Sequence, residues 1–92
     1  MVKLFLDTTT AKKAKVTITK NSELSCENEN ESPLVSINQC LEKAGLRLED
    51  IDEFTANPGP GSYTGIRVGI AVAGALNFAF GKELKPIDPI YN

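Results

Sequence analysis

A long helix with almost no polar face is the feature that most constrains the fold of this chain. Residues 65–80 are apolar or small except for Arg67 and Asn77. One side of this helix carries Ile66, Ile70 and Ala73, and the opposite side carries Val68, Val72, Ala75 and Ala79. A helix that is apolar on both sides must be covered on both sides. Because one sheet covers a single side, the pattern predicts that a second helix or a partner protein covers the other.

A ridge of small residues runs along the same helix. Gly65, Gly69 and Ala73 are spaced four residues apart, which lets another backbone approach closely, as it does in membrane helices. A membrane span needs roughly 20 apolar residues, and the uncharged run over residues 68–81 is shorter than that. The small-residue ridge is therefore predicted to serve protein–protein packing outside a membrane.

A turn rich in glycine and proline, residues 57–61, precedes the helix. Proline fixes φ and glycine permits positive φ, so this segment forms a loop, and Ser62 or Thr64 is the candidate N-cap. Free N–H groups at such a loop bind anions, but the turn matches neither the P-loop nor the dinucleotide-binding pattern. A plain strand-to-helix connection and a phosphate cradle are the two alternatives. The cradle would consist of Gly59, Gly61, Ser62 and Thr64.

The composition limits the chemistry that the chain offers. Its 92 residues with a net charge of −2 predict one domain with a modest core and no electrostatic attraction for nucleic acid. There is no histidine, which removes the commonest general base and metal ligand. Cys26 and Cys40 are too few for a zinc site. Without a recognisable signal peptide they favour reduced thiols in a cytoplasmic protein, with a disulfide as the alternative.

Hydrophobic patterns predict the element order β-β-β-α-β-α-β. The predicted strands cover residues 2–7, 14–20, 23–27, 53–56 and 84–87, and Pro86 and Pro89 place the last strand at an edge. Ser32, Pro33 and Gly45 bound the first helix. Three meandering strands followed by a helical crossover favour an α/β fold with one mixed five-stranded sheet and two main helices.

This order, with Asp7 at the end of the first strand, resembles the ribonuclease-H-like fold of the actin, Hsp70 and sugar-kinase ATPase half-domain. Asp7, Thr8, Thr9 and Thr10 are similar to the first phosphate loop of that superfamily. Residues 59–69, GPGSYTGIRVG, resemble the signature of the TsaB (YeaZ) family, and residues 48–52, LEDID, lie at the expected interval. The resemblance covers nearly the whole chain as one domain. The usual second TsaB domain and a histidine near the first helix have no counterpart here.

The resemblance implies a non-catalytic scaffold subunit. TsaB proteins are inactive relatives of the catalytic subunit TsaD and pair with it through the two helices of their N-terminal half. With the ATPase TsaE, this assembly places threonylcarbamoyl on an adenosine of tRNA. Without the partner a homodimer is expected, and tRNA is contacted only indirectly. Carried over by position, the partner surface consists of Leu34, Ile37, Leu41, Gly65, Arg67, Val68, Gly69, Val72, Ala73 and Leu76.

Two other functions stay open. In a nucleotide-binding half-site, Asp7, Thr8 to Thr10 and the glycine turn would bind ATP or ADP with Mg²⁺, and only inside a complex. We expect the chain alone to require no cofactor and to have no enzymatic activity. Asp7 also has a structural interpretation, as a strand-end acid that accepts hydrogen bonds from loop amides. The third hypothesis is an orphan domain whose homodimer buries the long helix.

Overall fold

The structure is a computed structural model that describes residues 1–90. Its elements, in chain order, are β1 (Val2–Asp7), β2 (Ala14–Lys20), β3 (Glu23–Asn30), α1 (Pro33–Ala44), a 3₁₀ turn (Leu48–Asp50), β4 (Glu53–Ala56) and α2 (Tyr63–Ala79). Neither α-helix in this part of the chain is long and apolar enough to cross a bilayer.

One mixed sheet contains these strands in the order β3-β2-β1-β4. β1 pairs antiparallel with β2 and parallel with β4, so Leu4 lies between Ile18 and Phe54. β2 and β3 are joined by a tight turn in which Asn21 and Ser22 both have positive φ. The predicted α/β class, mixed sheet and two main helices are confirmed.

Both helices pack on the same face of the sheet. Alternate strand residues point to that face. The buried core includes Leu4, Leu6, Val16, Ile18, Phe54 and Ala56 from the strands, Ile37, Cys40 and Leu41 from α1, and Ala73 from α2. α1 covers β2 and β3, whereas α2 covers β4 and β1. Each helix therefore has one side on the sheet and one side directed away from it.

The ends of α1 follow the local sequence. Ser32 is the N-cap, and its Oγ accepts a hydrogen bond from Val35 N at 3.4 Å. Pro33 occupies the first turn, where its missing N–H is not needed. Gly45 adopts the left-handed conformation with φ of 68° and closes the helix by donating to the Glu42 carbonyl. The predicted bounds of α1 are confirmed.

The long helix, α2, begins two residues earlier than predicted. Ser62 rather than Thr64 is its N-cap, because Ser62 Oγ accepts a hydrogen bond from Gly65 N at 3.2 Å. The helix consequently starts at Tyr63 and ends at Ala79.

The predicted fifth strand over residues 84–87 is wrong. This segment lies beside β4 and is tied to it by an ion pair, with Lys85 Nζ at 2.9 Å from Glu53 Oε1. It forms no strand pairing with β4. Pro86 and Pro89 lack the N–H groups that a strand ladder needs, which is the physical reason. The ribonuclease-H-like assignment stays a prediction.

β3 is longer than predicted, since it ends at Asn30 instead of residue 27. Asn28 and Asn30 pair with Val16 and Ala14 of β2. The Asn28 side chain also donates to Gln39 Oε1 of α1 at 2.9 Å. The composition of residues 28–30 predicts a loop, but pairing with β2 and contact with α1 keep this polar segment in a strand.

Asn77 takes the place of a neighbouring strand at the outer edge of β4. It lies on the sheet-facing side of α2 and is 5% exposed. Its Oδ1 accepts a hydrogen bond from Phe54 N at 3.1 Å, and its Nδ2 donates to Phe54 O at 2.8 Å. Both backbone groups that an added strand would bind at Phe54 thus have partners within the chain.

We expect Asn77→Ala to lower the free energy of unfolding by about 2–4 kcal/mol, because it leaves the buried N–H and C=O of Phe54 without partners. Urea unfolding followed by circular dichroism measures this loss. Asn38→Ala is the matched control, since Asn38 is exposed on α1 and its replacement should change stability by about 0.5 kcal/mol or less. Equal losses in the two variants would contradict the role of Asn77 at the sheet edge.

Candidate functional site

The loop after β1 packs directly on the N-terminal half of α2. Thr8 Oγ1 donates to the Gly65 carbonyl oxygen at 2.5 Å. In the opposite direction, Ser62 N donates to the Thr9 carbonyl oxygen at 2.6 Å. These two hydrogen bonds attach the end of β1 to the first turns of the helix.

Glycine is required at three positions because of this contact. A Cβ at Gly61 or Gly65 would collide with the backbone carbonyl of Thr9 or Thr8, respectively, and a Cβ at Gly69 would collide with the Thr8 hydroxyl. The small-residue ridge was predicted to receive the backbone of a partner. It instead receives this chain's own loop, which corrects the interface prediction for Gly65 and Gly69.

Asp7 is held by hydrogen bonds from its own loop and from the glycine turn. Its Oδ1 accepts from Thr9 N at 2.9 Å and from Thr9 Oγ1 at 2.6 Å, and its Oδ2 accepts from Asn57 Nδ2 at 3.2 Å. Partial burial pushes the pKa of Asp7 upward. The hydrogen bonds from Thr9 and Asn57 and the charge of Lys15 outweigh burial and hold the pKa below its ordinary value. Asp7 is therefore an ionised carboxylate at neutral pH, with both oxygens already accepting hydrogen bonds.

The glycine turn also uses much of its hydrogen-bonding capacity inside the chain. Gly59 N donates to Asn57 Oδ1 at 3.1 Å, and Gly65 N donates to the N-cap Ser62. With the Ser62 N–H bound to the loop after β1, three of the N–H groups that would surround a phosphate have protein partners. This geometry favours the strand-to-helix connection over the phosphate cradle.

A cleft of about 260 Å³ opens where β1 ends, between the N-termini of the two helices. Thr10, Lys12 and Lys13 line it from the loop, Glu31 from the start of α1 and Thr64 from α2. Open α/β sheets bind ligands at this edge, and the volume is near the lower end for small-molecule sites. Across residues 1–90 no group of three or more His, Cys, Asp or Glu side chains could hold a metal. The cleft combines the hydroxyl and ammonium groups of Thr10, Lys12 and Lys13 with the carboxylate of Glu31, so an anion bound there would meet both signs of charge.

The side of α2 that points away from the sheet is apolar and exposed. This outer face of α2 consists of Val68, Ala71, Ala75 and Phe78. Phe78 is 76% exposed and Val68 is 40% exposed. Arg67 is exposed one turn before Ala71 and borders this face, and beyond Arg67 water contacts methyl groups and a phenyl ring over several turns of the helix.

The predicted partner surface divides between the exterior and the core. Six of its members are exposed or half-buried: Leu34, Gly65, Arg67, Val68, Val72 and Leu76. Four others are buried in the core of this chain: Ile37, Leu41, Gly69 and Ala73. Their assignment to a partner surface is wrong, because the apolar stripe of α1 and the small-residue ridge of α2 both face the sheet. Large charged residues at Gly69 or Ala73 would disrupt the fold.

Arg67 interacts with Tyr63, one turn earlier in α2. Its Nη1 donates to the Tyr63 hydroxyl oxygen at 2.8 Å, and the guanidinium carbon lies 5.5 Å from the ring centroid, within the range of cation–π contacts. The spacing of four residues is the sequence signal that indicates this contact. No such signal exists for Thr8, whose contact with α2 depends on the tertiary fold.

A family model described as TsaD, tRNA N6-adenosine threonylcarbamoyltransferase, matches residues 21–91. The chain belongs to the TsaD family. The predicted resemblance to TsaB is also confirmed, since the tRNA threonylcarbamoyladenosine biosynthesis protein TsaB of Haemophilus influenzae is 39% identical over 71 residues, which are 77% of this chain. The tRNA N6-adenosine threonylcarbamoyltransferase of Staphylococcus aureus (strain JH9) is 34% identical over 68 residues, 74% of this chain.

This TsaD-family chain spans only part of its relatives. Its matched residues cover 29% of the Haemophilus influenzae protein and 20% of the Staphylococcus aureus protein. YeaZ from Pseudomonas aeruginosa matches with a TM-score of 0.79 and 24% identity, over 95% of this chain and 43% of that chain. The crystal structure of an uncharacterized protein with similarity to peptidase YEAZ from Pseudomonas aeruginosa matches with a TM-score of 0.76 and 26% identity, over 99% of this chain and 43% of that chain. These structural likenesses support the fold.

We expect Gly65→Ala to lower the free energy of unfolding by about 1–3 kcal/mol, because the added methyl group would collide with the Thr8 carbonyl oxygen. Gly74→Ala is the matched control in the same helix. No atom lies within 4 Å of a Cβ at Gly74, so the better helix propensity of alanine should raise stability by about 1 kcal/mol. Thermal unfolding measures both changes, and stabilisation of both variants would show that the loop does not pack on α2.

The Asp7 carboxylate should make stability depend on pH. Because its pKa in the folded state lies below the ordinary value of 3.8, its contribution is present above that value and is lost as the pH falls through the folded pKa. We expect Asp7→Asn to destabilise the chain by roughly 1–2 kcal/mol near neutral pH, with the difference from the unmodified chain shrinking at acid pH. Denaturant unfolding at a series of pH values measures this, and a constant difference would refute the proposed hydrogen bonding.

Proposed function

We propose that the chain is a non-catalytic subunit that pairs with a TsaD-type subunit in the biosynthesis of threonylcarbamoyladenosine in tRNA. The outer face of α2 is the observation that carries this proposal. It is apolar and exposed, while α1 covers β2 and β3 instead. Apolar helix faces of this kind mark sites of protein–protein contact.

The start of α1 extends the same surface. Leu34 and Val35 are exposed there, with 61% of Leu34 accessible. Pro33 of α1 and Val68 of α2 line the same cleft, so the apolar residues of the two helices border one region. A partner that lies across this region would cover apolar side chains from both helices, which is the usual composition of an interface core.

The hydrogen bonds at the carboxyl end of β1 support the non-catalytic part of the proposal. A metal ion needs free carboxylate oxygens, and a phosphate needs free N–H groups. Here both oxygens of Asp7 accept hydrogen bonds from Thr9 and Asn57. Ser62 Oγ accepts the N-cap hydrogen bond of α2. This hydroxyl therefore has a structural role, which argues against a role as a nucleophile.

Family membership supports the choice of partner. The related proteins are named as a tRNA threonylcarbamoyladenosine biosynthesis protein and a tRNA N6-adenosine threonylcarbamoyltransferase. A partner of the same family is chosen because related chains with the same fold could pair about a pseudo-two-fold axis, as identical subunits do in a two-fold dimer. Assembly with a TsaE-type ATPase and a homodimer in the absence of the partner stay predictions.

We expect Ala75→Glu to weaken binding of a TsaD-type subunit at least about tenfold, because it places an unpaired charge in an apolar interface. Isothermal titration calorimetry with the TsaD homologue of the same genome measures the affinity. Leu24→Glu is the matched control. Leu24 is 63% exposed on β3, away from both helices' outer sides, so the same charge there should leave binding unchanged. Full affinity of the Ala75→Glu variant would rule out the outer face of α2 as the interface.

The cleft at the end of β1 favours a second candidate function, a nucleotide half-site. Lys12, Lys13 and Thr10 supply donors there that suit phosphate oxygens. Calorimetry with Mg²⁺ and ATP or ADP, on the chain alone and on its complex with a TsaD-type subunit, tests this function. Binding that is lost in Lys13→Ala would support the half-site, and no heat of binding in either titration would exclude it.

A further inference from the structure

The two cysteines come from different elements and meet between β3 and α1. Cys26 lies on β3 directly opposite Ile18 of β2. Paired residues of neighbouring strands point to the same face of a sheet, and Ile18 is buried on the face that α1 covers. Cys26 accordingly packs against the core, although part of it is open to solvent.

Cys40 reaches the same place from α1. It is fully buried, and its Sγ lies 3.8 Å from the Val16 carbonyl oxygen. The Cys40 sulfur therefore lies over the part of β2 that Cys26 flanks, on the same face of the sheet.

We propose that Cys26 and Cys40 are a reversible oxidation site that forms an intramolecular disulfide when the chain meets a peroxide. In the first step, the Cys26 thiolate attacks one oxygen of hydrogen peroxide, the O–O bond breaks, and the other oxygen leaves as hydroxide, which becomes water. Cys26 is then a sulfenic acid. In the second step the Cys40 sulfur attacks the Cys26 sulfur, the Cys40 thiol proton passes to the departing hydroxide, the S–S bond forms, the S–O bond breaks and a second water leaves. Two electrons pass from the thiols to the peroxide, and a thiol reductant reverses the change.

The two cysteines have different exposure, which sets the order of the steps. Cys26 is partly exposed, so the oxidant meets it first. Burial, and then the neighbouring Cys26 side chain, raise the pKa of Cys40 to about 12. Cys40 is thus a neutral thiol that an oxidant in solution does not reach. It acts as the resolving thiol because the fold holds it beside Cys26.

The disulfide would link an edge strand to a helix. β3 pairs with β2 on one side only, and α1 packs against both. A disulfide between β3 and α1 would close the segment from Cys26 to Cys40 into a loop. This loop lowers the conformational entropy of the unfolded chain and so stabilises the folded state. The oxidised form should consequently unfold at a higher temperature, by about 5 °C or more for a chain of this size.

The test is to treat the full chain with a small excess of hydrogen peroxide and measure its intact mass and its free thiols. We expect the unmodified chain to lose both thiols together, to decrease in mass by two hydrogens without cross-linking to another chain, and to recover with dithiothreitol. Cys26→Ser and Cys40→Ala should each prevent the two-hydrogen loss. The proposal would be overturned if Cys40 stayed a free thiol in the peroxide-treated chain without substitutions. This holds whether Cys26 gains oxygen, joins a second chain or does not react.

Discussion

Close packing of the loop after β1 against the backbone of α2 determines how the rest of the structure is arranged. Gly61, Gly65 and Gly69 let Thr8 and Thr9 approach the helix closely enough for direct hydrogen bonds. The four-residue spacing of this ridge continues to Asn77, whose amide binds both backbone groups of Phe54. One side of α2 is thus attached to β1 at its start and to β4 near its end. The opposite side, which is apolar beyond Arg67, is left directed away from the sheet.

Much of the fold follows from local signals in the sequence. Ser32 and Gly45 mark the ends of α1, and alternation in β2 identifies its buried residues, because capping and strand alternation depend on near neighbours. Residues 84–87 and Asn30 depart from the predicted strands for different reasons. Pro86 and Pro89 prevent strand pairing in an apolar segment, and this restriction is local. Pairing with β2 keeps the polar end of β3 extended, so there a tertiary contact outweighs local composition.

The sequence identifies Asp7 and the glycine turn as candidates, but it does not orient α2. A helix that is apolar on both sides has no hydrophobic period that distinguishes its core side from its exposed side. The sequence pattern therefore assigns Gly69 and Ala73 to a partner, although both residues contact the sheet. A chain of this size has a modest core. The apolar side chains of α2 that stay exposed therefore add little to the stability of the isolated chain. A partner that covers this side would stabilise the folded state by mass action.

The most direct test of this account is to find which methyl groups a partner covers. Methyl NMR spectra of isotope-labelled chain, recorded with and without an unlabelled TsaD-type subunit, report on single side chains. We predict that the signals of Val68, Ala75 and Leu34 shift or broaden on binding, while those of Ala73 in the core and Leu24 on β3 change least. Changes centred on Leu24, or no change at any methyl group, would contradict the claim that the outer side of α2 binds the partner.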